Sequence, residues 1–412
     1  MRDHRDPRAD LRALLEKAEA ASPVQAVEVV ADELAAAVGA RKVSFLIADF
    51  TGHAVFRMGR AVVGAATTQF PGAEQVQLRG TVYERVLTTQ QVDVCSTDQG
   101  AHLVVPVTDR GDAIGLIELL LPYAPDEQTV SDIAAAGHVL AYIVVANRRH
   151  TDLFEWGQRS TPFTLAAEIQ RRLLPAAFTC EAGQFTVAGW LEPASSVGGD
   201  TFDYSLDQHS LQVSITDAAG HDVQAALLAT LLVGSLRNER RRGVGLAEQV
   251  RNANDALAAH SSPGQFVTGQ VMCVDLSTGR TTIVNAGHPF PLRLRENQVD
   301  EIELDIDIPF GLYPGRSFRL QRFLLEPGDR VVFVTDGMLE RNAAHLDVPE
   351  ALARSGNLHP REVVHTLGQA VMRATGGDLR DDATVVCLDW HGGPPRGRDS
   401  FHGANIAEGR TR

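Results

Sequence analysis

Cysteine is scarce in this chain: four residues among 412, Cys95, Cys180, Cys273 and Cys387. No two form a C-x-x-C pair, so neither a disulfide framework nor a cysteine zinc site is expected, and a reducing, cytoplasmic compartment follows. Basic residues are also in deficit, 38 Lys plus Arg against 52 Asp plus Glu, for a formal charge of −14. That balance excludes the basic footprint needed to wrap nucleic acid or to coat an anionic membrane. The run Arg240-Arg241-Arg242 reads as a solvated helix face. Long apolar segments are missing too. The most apolar helical stretch, 133–146, reads as too short and interrupted to span a bilayer. The charged residues 1–6 lead into no apolar region of a signal peptide. What remains is ordinary globular material, 44% hydrophobic and 22% charged, enough for two or three domains.

The hydrophobic period divides the chain. After a flexible N-terminus (1–10), residues 11–39 read as helix, with Ser22-Pro23 as a cap and first-turn proline and Gly39 as the stop. Strands follow at 43–50 and 53–58, then a hairpin from 103–107 to 114–121 around Asp109-Arg110-Gly111-Asp112. A closing helix from about residue 130 completes an α+β domain over 11–148. Residues 149–180 read as a helical linker, where Leu165, Ile169 and Leu173 recur at i, i+4 and i+8. That stripe either packs on its own domain or pairs with a second copy as a homodimer. Residues 181–390 alternate strands (185–191, 211–216, 266–276, 281–284, 290–294, 330–335, 383–390) with helices at 224–260, broken at Gly243-Val244-Gly245, and at 360–374. The Gly-, Pro- and Arg-rich stretch 391–412 reads as a disordered tail.

Within 181–390 one pattern recurs: a β-run beside an aspartate and a tight turn. It occurs at Asp200 after Gly198-Gly199, at Asp217 after Val213-Ser214-Ile215-Thr216, at Asp336 after Val331-Val332-Phe333-Val334-Thr335, and at Asp381-Asp382 before Ala383-Thr384. Turn chemistry explains any one such aspartate. Four in one domain, with Arg380 the one nearby cation, point to a shared metal. Carboxylates and main-chain carbonyls are hard donors that suit Mg²⁺ or Mn²⁺ rather than zinc. Two such ions ~4 Å apart could activate a water for phosphate-monoester hydrolysis without a nucleophilic Ser or Cys.

The stretch Ala167-Glu168-Ile169-Gln170-Arg171-Arg172-Leu173-Leu174-Pro175 resembles a known family. So do Val197-Gly198-Gly199-Asp200-Thr201-Phe202-Asp203, Asp217-Ala218-Ala219-Gly220-His221, Asn285-Ala286-Gly287-His288-Pro289, Thr335-Asp336-Gly337 and Asp381-Asp382-Ala383-Thr384. The family is the bacterial PPM-type (PP2C-like) Ser/Thr protein phosphatases, in the branch of the stage II sporulation phosphatase and the stress-sigma-factor regulators. The resemblance implies an α-β-β-α sandwich with two Mn²⁺ or Mg²⁺ ions. It implies that Asp200 holds one metal, that Asp217 bridges both, that the Ala218 carbonyl adds a ligand, and that Asp336 and Asp381 complete the set. Asp203, His288 and Asp382 would support the site rather than ligate. Gly220-His221-Asp222 departs from the family's frequent Gly-His-Gly, which puts the helix start there in question.

Residues 11–148 look like a GAF sensory domain, from the helix, the hairpin and Pro106-Val107-Thr108-Asp109-Arg110-Gly111 leading to Ile114-Gly115. That implies signal input and a site for a small-molecule ligand, with packing or dimerisation as equal alternatives; His102 and His138 read as structural. The chain as a whole therefore reads as a regulated phosphoserine/phosphothreonine phosphatase whose switch is a helix spanning roughly 130–175. Its implied substrate is a phosphorylated anti-sigma-factor antagonist. The competing reading is a catalytically silent, ligand-responsive partner-switch scaffold. An HD-type phosphohydrolase dyad at His221-Asp222 lacks the further helical ligands that chemistry needs.

Overall fold

The stretch 11–39 is two helices, and the second starts at Ala26 behind Gln25 rather than at the expected Ser22-Pro23. α1 (Leu11–Ala20) is capped by Asp10, whose carboxylate accepts from the amides of Arg12 and Ala13, and α2 (Ala26–Val38) stops at Gly39 in the left-handed region, φ 64°. The computed structural model describes residues 10–50, 52–58, 74–159, 163–194, 198–220, 222–339, 346–377, 379–393, 400 and 402–405. These divide into two units, 1–162 with 399–408, and 163–398 with 409–412.

The first unit continues with β1 (Lys42–Ala48), β2 (Ala54–Arg57), β3 (Glu74–Gln77), α3 (Val82–Thr89), β4 (Asp93–Thr97), β5 (Gly100–Asp109), β6 (Asp112–Leu121), α4 (Glu127–Asn147) and α5 (Leu153–Gly157). Among the described residues its strands form one antiparallel sheet in the order β3-β2-β1-β6-β5-β4. Both faces are covered, so β1 and β6 are apolar almost throughout instead of alternating. Phe45, Ile47, Leu103 and Val105 meet Leu34 and Leu140 of the helices on one face; Leu46, Val104 and Leu116 meet Val86 and Leu87 of α3 on the other.

The helix α4 corrects a length argument. It runs 21 residues and is long and apolar enough to cross a membrane by composition alone. Its apolar residues, among them Ile133, Leu140, Ile143 and Val144, are buried in the core of this unit, which accounts for the hydropathy.

The second unit comprises α6 (Leu165–Leu173), β7 (Thr179–Glu181), β8 (Phe185–Glu192), β9 (Thr201–Leu206), β10 (Ser210–Ala218), α7 (Asp222–Arg241), α8 (Leu246–His260), β11 (Val267–Asp275), β12 (Arg280–Ala286), β13 (Leu292–Arg295) and β14 (Gln298–Glu301). It continues with β15 (Gln321–Leu324), β16 (Arg330–Val334), a 3₁₀ turn (Asp336–Met338), α9 (Val348–Ala353), α10 (Pro360–Ala374) and β17 (Ala383–Trp390). Two sheets, β15-β12-β11-β10-β9 and β14-β13-β16-β17-β8-β7, share a core of Phe185, Phe202, Ile215, Met272, Phe333 and Leu388. The helices α7 and α8 cover the outside of the first sheet, and α9 and α10 the outside of the second. The result is an α-β-β-α sandwich.

Three boundary expectations change. The span 130–175 is not one helix: α4, α5 and α6 are separate, α5 lies in the first unit, and α6 packs on α7 through Ala166 and Ala226. Residues 149–180 are therefore shared between the units rather than forming a free linker. The apolar stripe of α6 is also split, with Leu173 buried and Leu165 65% exposed. The tail is partly ordered: His391 and Gly392 donate to the Gln184 carbonyl, and residues 400 and 402–405 sit with the first unit.

Candidate functional site

The two sheets bring separate aspartates to one end because each hairpin aligns the right strand termini. Thr201 pairs with Thr216, so Asp200, just ahead of β9, lies beside Asp217 at the close of β10. Val334 pairs with Val385, so Asp336, just past β16, lies beside Asp381 and Asp382, just ahead of β17. Two hydroxyls stitch the sheets together. Thr335 Oγ1 and Thr384 Oγ1 both donate to Asp200 Oδ2, at 2.7 and 2.6 Å.

Glycine permits the close approach. A Cβ on Gly198 would fall 2.7 Å from the Asp382 carboxyl carbon and 3.0 Å from Asp381 Oδ1; one on Gly199 would meet the Ala218 carbonyl oxygen at 2.7 Å. A Cβ on Gly337 would collide with the Asp382 carbonyl. Glycine is thus required wherever one acid-bearing loop crosses another.

The electrostatics are those of crowded acids. Asp200 is 1% exposed, and burial first, then the charges of Asp217 and Asp382, hold its carboxyl well above the usual carboxylate range. Asp217 is pushed up to about 7 by burial and by Asp336, Asp381 and Asp382. Asp382 is fully buried and also raised by burial, although its Oδ1 accepts from the amides of Ala194 (2.9 Å) and Gly198 (3.1 Å). Asp381 Oδ1 accepts from the Asp382 amide at 2.9 Å. The donor set is entirely carboxylate and carbonyl oxygen, the chemistry that suits hard divalent cations. Among the described residues, no three His, Cys, Asp or Glu side chains already stand at metal-ligating spacing. The fit therefore lies in the charge and chemistry of the donors rather than in a closed ligand shell.

Asp203 and His288 stand apart from these acids. Asp203 is gripped by Arg237 (2.9 Å) and Arg240 (3.2 Å) of α7, and Arg237 also donates to the Leu173 carbonyl at the end of α6. His288 Nδ1 lies 3.0 Å from Thr268 Oγ1, and its amide donates to Asn285 Oδ1 at 2.8 Å. Burial pushes the His288 imidazole down to about 3, so the ring is neutral.

Sequence reasoning gave no role to Gln170, Thr335 or Thr384, although each lies inside a motif that it singled out. Gln170, buried on α6, donates through Nε2 to the Asp200 carbonyl at 2.8 Å and to Asp382 Oδ2 at 2.5 Å. The Gly-His-Asp departure is also accounted for in part. α7 opens at Asp222 with φ 63°, a left-handed backbone that glycine would adopt freely and aspartate tolerates. His221 itself lies outside the described residues, as do Val197, quoted with the glycine motif, and residues 1–9, expected as a flexible N-terminus.

Hard oxygen donors gathered at one end of a β-sandwich define a candidate centre for divalent cations. Residues 207–391 match the family model of stage II sporulation protein E. The chain is 22% identical over 239 residues to phosphoserine phosphatase RsbU of Bacillus subtilis, covering 54% of this chain and 68% of that protein. It is 22% identical over 185 residues to phosphoserine phosphatase RsbP of the same organism, covering 44% of this chain and 45% of that one. Among solved structures, the PP2C phosphatase domain of SpoIIE from Bacillus subtilis shares 18% identity at a TM-score of 0.44, over 51% of this chain and 65% of that one. Residues 207–391 thus belong to the stage II sporulation protein E family, and the chain is similar to phosphoserine phosphatases.

Proposed function

We propose that the second unit hydrolyses phosphoserine or phosphothreonine on a small regulatory protein of the anti-sigma-factor-antagonist kind, and that the first unit acts as a GAF-like sensor that regulates it. The observation that carries the reading is the crowding of Asp200, Asp217, Asp336, Asp381 and Asp382: burial, and then the charges of Asp336, Asp381 and Asp382, lift Asp217 to about 7. Such a cluster is stable as carboxylates only around a cation.

In this reading Asp200, Asp217, the Ala218 carbonyl, Asp336 and Asp381 would hold two Mn²⁺ or Mg²⁺ ions. When bound, the metals would supply an activated water and neutralise phosphoryl oxygens. The chain's own contribution is position. Asp200 is oriented by Thr335 and Thr384, Asp382 by three donors including Gln170, and Ala218 by its amide, which donates to the Gly199 carbonyl at 3.3 Å. Regulation has a route through α6, because Gln170 touches both acid-bearing loops. A shift of that helix moves the Asp200 backbone and so gates metal capture. The scarcity and wide spacing of cysteine favour a reducing, cytoplasmic setting.

The test is Mn²⁺-dependent hydrolysis of p-nitrophenyl phosphate by the full chain, followed by release of phosphate from a phosphorylated antagonist protein. Turnover lost in Asp217→Asn and Asp336→Asn supports catalysis. Absence of turnover with every divalent ion instead supports the partner-switch scaffold.

A further inference from the structure

Composition marks the residues after 390 as unable to build a core, yet part of this stretch is seated within the first unit. The Gly403 carbonyl accepts from the Gly111 amide, in the turn between β5 and β6, at 2.9 Å. His402 Nε2 lies 3.5 Å from Ser131 Oγ on α4, and the Gly403 amide donates to Ser400 Oγ at 3.3 Å. Ala404 is 2% exposed, and Asn405 is buried. An apolar side chain that deep is fixed by what covers it, not by chance proximity.

The seat is built around backbone and one oriented ring. His138 Nδ1 is held 2.8 Å from the Thr108 carbonyl, and its ring stands edge-on to Tyr142 at 5.0 Å. Gly403 lies directly over this pair with φ 101°. A Cβ there would collide with the Thr108 carbonyl and come within 2.6 Å of His138 Nδ1. The position admits glycine alone, for both backbone conformation and space. Sequence-dependent fit of this kind distinguishes a specific seat from a loosely adsorbed tail.

The chain path gives the contact a consequence. The first unit is interrupted by the second, and the residues after 398 that are described, 400 and 402–405, belong again to the first. We propose that the surface formed by Thr108, Gly111, Ser131 and His138 is a docking site for the chain's own Ser400 and His402–Asn405, so that the chain following the second unit is anchored to the first. A second attachment within one chain acts at a high effective concentration, so a modest local contact suffices to keep the seat occupied.

Hydrogen exchange on the full chain tests this without reference to activity. The Gly111 amide should be protected in the native protein. Its exchange should rise at least tenfold both in Gly403→Val and in a chain stopped after Gly393, while amides of α10 hold their native rates. A synthetic peptide of residues 399–408 added to the shortened chain should restore the protection. The docking site is disproved if Gly111 exchanges freely in the native chain, or if removing residues after 393 leaves its rate unchanged. Should Gly403→Val fold poorly, the shortened chain with and without the peptide decides alone.

Discussion

At the residue scale, Asp217 and His288 oppose each other in their response to pH. The folded-state carboxyl of Asp217 is lifted to about 7, so between the ordinary carboxylate value of 3.8 and that point the folded chain binds more protons than the unfolded one. Its contribution to metal-free stability is therefore full below 3.8 and is lost as pH rises toward 7. In chelator, Asp217→Asn should raise the melting temperature at pH 8 and leave it unchanged near pH 4. The gain should be a few kcal/mol at most, at about 1.4 kcal/mol per pH unit of displacement. Equal melting of the two proteins at pH 8 would show that the acids are not crowded. His288 works in the other sense, because its ring is pushed down from 6.5 to about 3. The unfolded chain takes up the proton first, so stability is full above 6.5 and falls as pH drops toward 3. His288→Gln should flatten the melting-temperature profile below pH 6.5, as thermal scans across pH 4–7 would show.

At the scale of elements, the site depends on how strands and helices are held at its rim. Asp203 on β9 anchors α7 through two arginines, and α6 through Arg237. Removing one partner of a buried ion pair leaves the others uncompensated, so Asp203→Ala should cost about 3 kcal/mol in urea unfolding. Mn²⁺-dependent turnover should persist in the folded Asp203→Ala variant, unlike Asp217→Asn, as expected of a residue that braces helices. Gly337→Ala makes the complementary case. Its new methyl must displace the Asp382 backbone, so turnover should fall by an order of magnitude or more even where the variant remains folded by circular dichroism. Element positions were readable where punctuation was strong. α10 and β17 fall at the expected 360–374 and 383–390, and the break between α7 and α8 falls at Gly243 and Gly245. The strands β3, β4, β7, β14 and β15 were not, because each is short and largely polar or exposed, and takes its conformation from its sheet neighbours.

At the scale of the whole molecule, two units with separate cores should respond separately to metal. Trp156 lies in the first unit, Trp190 and Trp390 in the second. Calorimetry should resolve two transitions, and Mn²⁺ should move only the one reported by a chain retaining Trp190 and Trp390. At a metal concentration one hundred times its Kd, that unit gains about 2.7 kcal/mol. A common shift of both transitions would mean that the units unfold as one.

The sequence by itself determined which residues are candidates. Aspartates beside β-runs, glycines next to them and the ordered motifs are local patterns, and local patterns survive in one dimension. Only the tertiary structure decided which candidates meet. Asp200 and Asp382 are 182 residues apart (382 − 200) and touch through Gln170, a relation set by strand pairing and sheet packing. The same holds for Asp203, which composition could not distinguish from a ligand until α7 placed two arginines against it. It holds again for residues 402–405, which lie in a stretch that lacks the apolar content to fold alone and are held by a surface built some 300 residues earlier (403 − 111 = 292). Charge, size and backbone freedom belong to the residue, whereas partnership depends on which distant surfaces packing brings within reach.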